Sequence, residues 1–177
     1  MQLTHTNRFT RIQLGAAIAP LTASRLKEVK FVILFGGYGL IGSKKGTITR
    51  KYLGQALGET ENESEEGVKF VKRIFEVIQS EEGWEEICSE IHEKMNSSFK
   101  KLPKDQQNTF QTADNYLKST YEGFLLSEGN TPMYRSFLQY YPSSSLLKTS
   151  CPALLLFGEL DVIHPGTQNL NKPRHYA

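Results

Sequence analysis

The stretch Cys151 to Pro165, CPALLLFGELDVIHP, constrains the fold of this chain more than any other. Ala153 to Phe157 is an apolar run without polar interruption, closed off by Pro152 on one side and Gly158 on the other. A run of that length and bounding reads as a strand buried on both faces, as in the interior of a parallel sheet. We expect it to be a central strand. Beyond its carboxyl end Gly158, Glu159, Leu160 and Asp161 form a tight turn, and in open α/β sheets ligands bind outside the carboxyl ends of the strands. Asp161 is therefore a candidate functional carboxylate, with an ordinary turn or capping role as the competing reading.

A second run, Lys30 to Phe35 (KFVILF), is rich in β-branched and aromatic residues and ends at Gly36 and Gly37, so it too reads as a buried strand. Ahead of it, after a polar lead-in over residues 1–10, Leu14, Ala17, Ile18 and Leu21 recur at helical spacing between Arg11 and Arg25. Gly15, Ala16 and Ala19 would let that helix lie close on a sheet. Pro20 is expected to weaken or kink it unless it falls in the first turn. Helix, strand, long insertion and strand make an alternating order, which predicts an α/β class with parallel pairing. The sheet is expected to be incomplete, because two strands bury too little to stand alone.

From Ser43 to about Gly129 the pattern turns helical and polar. Ile48, Tyr52, Leu53 and Leu57 suggest one amphipathic segment ending near Gly58, and the acidic run at 59–66 (ETENESEE) suits the N-terminal end of the next helix. Val68, Val71, Ile74, Phe75 and Ile78 mark one apolar stripe, and Trp84, Ile87, Cys88, Ile91 and Met95 another; such stripes read as packing faces. His92 sits beside the second without a partner at ligand spacing, so it reads as a solvated or hydrogen-bonded helix histidine. After the polar stretch Lys100 to Thr109, a helical pattern runs through Tyr116, Tyr121, Phe124 and Leu125. Pro132 then opens a helix that carries Tyr134, Phe137, Leu138 and Tyr141, and Pro142 stops it. Ser143 to Ser150 reads as a connecting turn with Leu146 and Leu147 tucked inward.

Composition narrows the function classes. The 177 residues fit one domain, and 38% apolar with 23% charged residues is ordinary for a globular chain. The net charge of +2, without a dense basic patch interleaved with aromatics, argues against nucleic acid. Cys88 and Cys151 lie far apart, which fits neither a disulfide framework nor a zinc site. No run approaches the roughly 20 apolar residues of a membrane span, and MQLTHTNRFTR lacks the apolar centre of a signal peptide. A cytoplasmic protein without a membrane partner is the expectation.

The order of these elements resembles the α/β-hydrolase superfamily, in particular serine aminopeptidase-like hydrolases with a helical cap. The resemblance rests on IAPLTAS at 18–24, KFVILFGGYGLIG at 30–42, MYRSFLQYYPSSSLLKTSCPALLLFGELD at 133–161 and PGTQNL at 165–170. It implies a partial core over residues 1–42, a helical cap over 43–130, a return of the core over 131–171 and a tail at 172–177. It also implies that Asp161 is the acid of a catalytic triad, the carboxylate that orients a histidine. The family's nucleophile stands in a Gly-x-Ser-x-Gly turn just before the Ile-Ala-Pro run. Here that turn falls on Arg11 to Gly15, so Gln13 occupies the serine position and Leu14 the position whose backbone N–H would serve an oxyanion hole. A carboxamide has no oxygen that a base can turn into a nucleophile, and Arg11 stands where the family has a glycine.

Of the histidines after Asp161, His164 lies on the same loop and His175 in the terminal NKPRHYA; neither has the family's spacing. The implied function is that of a serine hydrolase of esters, thioesters or peptide bonds, inactive as this chain. An acyl compound would be the substrate of a complete enzyme, and no metal or organic cofactor is implied. The competing expectations are a non-catalytic interaction protein, self-associating through an exposed sheet edge, and a truncated gene product.

Overall fold

The computed structural model describes residues 15–16, 18–37, 39–161 and 163. Both apolar runs are strands: β1 spans Val32–Phe35 and β2 spans Ala153–Leu156. They pair in parallel, with Val32 opposite Ala153 and Phe35 opposite Leu156. Helix α1, residues 18–25, covers one face of this sheet. Ala23 on α1 is buried with Val32 and Leu34 of β1, and Ala19, Val29, Leu146 and Leu155 pack against them. Pro20 lies within the helical stretch and is fully buried.

The α/β class predicted from the sequence does not hold. Among the described residues there are nine helical segments and one sheet of two strands, so the molecule is a helical protein with a small parallel sheet. Nor is the run from Ala153 a central strand buried on both faces. Among the described residues β1 is its one neighbour, and Ala153, Leu154 and Leu156 are exposed. An uninterrupted apolar run sets strand character, but the number of layers that cover it depends on residues far away in the chain.

Eight helices follow β1: α2 (Gly42–Ala56), α3 (Glu61–Ser80), α4 (Trp84–Lys101), α5 (Lys104–Phe110), α6 (Ala113–Ser119), α7 (Tyr121–Glu128), α8 (Pro132–Gln139) and α9 (Pro142–Leu146). Helix α3 begins as its sequence dictates. The Thr60 hydroxyl accepts the Glu63 N–H, and the Glu63 carboxylate accepts the Thr60 N–H at 2.8 Å, a complete capping box. Its stripe is buried at Val71, Ile74, Phe75 and Ile78 and meets Ile87, Ile91 and Met95 of α4, Leu125 of α7 and Leu138 of α8 in the main hydrophobic core.

Three local expectations are corrected. The polar stretch 100–109 contains most of α5. The helical pattern through Tyr116 and Leu125 breaks at Thr120, whose hydroxyl donates to the Leu117 carbonyl at 2.7 Å and accepts the Gly123 N–H at 3.1 Å, so that one residue closes α6 and opens α7. The segment after Pro142 is the helix α9 with that proline as its first residue, and Leu147 points outward.

Helix α2 also buries a different face from its apolar stripe. Gly42, Lys45, Gly46, Thr49 and Gly54 are buried, whereas Leu57 is exposed. A Cβ on Gly46 would lie 2.5 Å from Cζ of Phe75, so glycine alone lets α2 approach α3 this closely. Among the described residues no helix is long and apolar enough to cross a membrane.

Candidate functional site at the carboxyl end of the sheet

Parallel pairing brings the exits of β1 and β2 to the same end of the sheet. Gly36 leaves β1 with φ of 60°, a left-handed conformation suited to glycine, while its N–H still donates to the Leu156 carbonyl at 2.8 Å. The chain then runs into α2, and its path is pinned: the Ser143 hydroxyl donates to the Gly39 carbonyl at 2.5 Å, and the Gly42 N–H donates to the Tyr140 carbonyl at 3.1 Å. On the other strand, the Asp161 N–H closes a turn onto the Gly158 carbonyl at 3.2 Å, and Oδ1 of Asp161 accepts the Ile163 N–H at 2.9 Å. This second bond is an Asx turn, the local role weighed against catalysis for this residue.

The turn is docked on α2. The Thr49 hydroxyl, one helical turn beyond Lys45, donates to the Ile163 carbonyl at 3.3 Å. Lys45 is buried at the same place, and burial pushes its ammonium down from 10.5 to about 8, an effect partly opposed by the negative charge of Asp161. Asp161 is therefore half-buried, bound to its own turn and facing a buried cation.

A second polar cluster lies deeper among the helices. The Arg50 guanidinium forms a bidentate pair with Glu59, both contacts at 2.8 Å, and its Nε donates to Glu122 at 3.1 Å. Burial works against the Arg50 charge, but the hydrogen bonds and charges of the two carboxylates outweigh it and hold its pKa above the usual value. Beside it, burial first and the Glu122 charge second push the Tyr121 phenol up to about 12, against the lowering effect of a hydrogen bond with Tyr134.

Of the residues singled out from the sequence, Asp161 lies past the tip of β2, in the turn that begins at Gly158. Gln13 and Leu14 lie outside the described residues, as do Arg11, His164 and His175. His92 is exposed on α4. The sequence reading missed Lys45, Thr49 and the Arg50 cluster. A signal existed for the first two: Gly42, Lys45, Gly46 and Thr49 recur at helical spacing, a face defined by small residues that a search for apolar stripes passes over.

Chemically, this arrangement can fix a turn and neutralise a buried cation. Among the described residues no serine hydroxyl is bonded to a histidine; Ser143 donates to a backbone carbonyl, and Ser145 accepts the Tyr140 hydroxyl at 3.2 Å. Also among the described residues, no three His, Cys, Asp or Glu side chains cluster as metal ligands. In comparisons with known proteins, no family model, curated protein or solved structure matches this chain.

Proposed function

We propose that this chain is a non-catalytic relative of the serine aminopeptidase-like hydrolases, acting by binding rather than by bond cleavage. The observation that carries the reading is Asp161. It follows β2, and the acid of such an enzyme likewise stands past the carboxyl end of a parallel strand, yet its oxygen takes the Ile163 N–H and its charge faces Lys45. In that setting the carboxylate holds a turn on α2. The residue that the resemblance assigns to the nucleophile is Gln13, and a carboxamide cannot form an acyl-enzyme.

Hydrolysis of a short p-nitrophenyl ester tests this. The expected result is no release of nitrophenolate above buffer, with the wild type and the Asp161→Asn variant indistinguishable. Turnover by the wild type that Asp161→Asn abolishes would overturn the reading.

A further inference from the structure

We draw no further inference here: the strongest candidate, the apolar face that Ile33, Phe35, Leu154 and Leu156 present on the two-stranded sheet, is uncovered only among the described residues, and nothing in the structure shows what covers it.

Discussion

Lys45 is the residue most at odds with its surroundings, and its protonation ties the acid turn to pH. It titrates at about 8 in the folded chain against 10.5 as a free side chain. Between those values the unfolded chain binds more protons than the folded one, so stability rises with pH across the window; below it, both states are protonated and the cost of the buried charge is fully present. The gain between about pH 7.5 and about pH 10 should be about 2 kcal/mol. In Lys45→Met this rise should disappear from urea unfolding midpoints measured at the two pH values. A rise that persists in the variant would assign it to other groups. Tyr121 acts in the opposite sense, because a phenol raised to about 12 makes the folded state hold its proton longer and lowers stability above pH 10. Asp161 was legible because it follows a strand-like run and a glycine. Lys45 was not, because a lysine among glycines carries no hydrophobic period; its burial comes from the close approach of α2 to neighbouring elements.

At the level of elements, sequence and structure agree best where start signals and stripes coincide. Helix α3 has both, Thr60 with Glu63 at its start and Val71, Ile74, Phe75 and Ile78 along its buried side. The strands were legible for the same reason. Breaks were less so: Thr120 splits one helical pattern into α6 and α7 through hydrogen bonds of a side chain that also suits a helix exterior. The Arg50 cluster joins α2, the start of α3 and α7 over separations that no local pattern records. Its importance should be plain in stability. Arg50→Met leaves Glu122 buried without its guanidinium partner, which should cost about 3 kcal/mol. Lys51→Met, which removes the exposed and solvent-screened pair with Glu61, should leave the unfolding midpoint close to that of the wild type. Equal losses in the two variants, read from urea unfolding curves, would remove the cluster from its place in the helical core.

For the molecule as a whole, the α/β reading failed on proportion. The two runs do pair in parallel, but the helices between them form the larger core, with Phe70, Ile74, Ile91, Leu125 and Leu138 at its centre. A sheet of two strands cannot organise so long a chain, and sequence periodicity does not say which of two cores will be the greater. Among the described residues the small sheet leaves Ile33, Phe35, Leu154 and Leu156 exposed and has a pinned carboxyl end, features that suit the proposed role in binding rather than catalysis. That distinction between binding and catalysis is tested most directly by the intact mass of the chain after incubation with a fluorophosphonate, which reacts with a serine activated by a neighbouring base. The expected result is an unchanged mass, with Ser143 and Ser145 unlabelled because each hydroxyl is engaged with a non-basic partner. A stoichiometric adduct on any serine of the folded chain would contradict it.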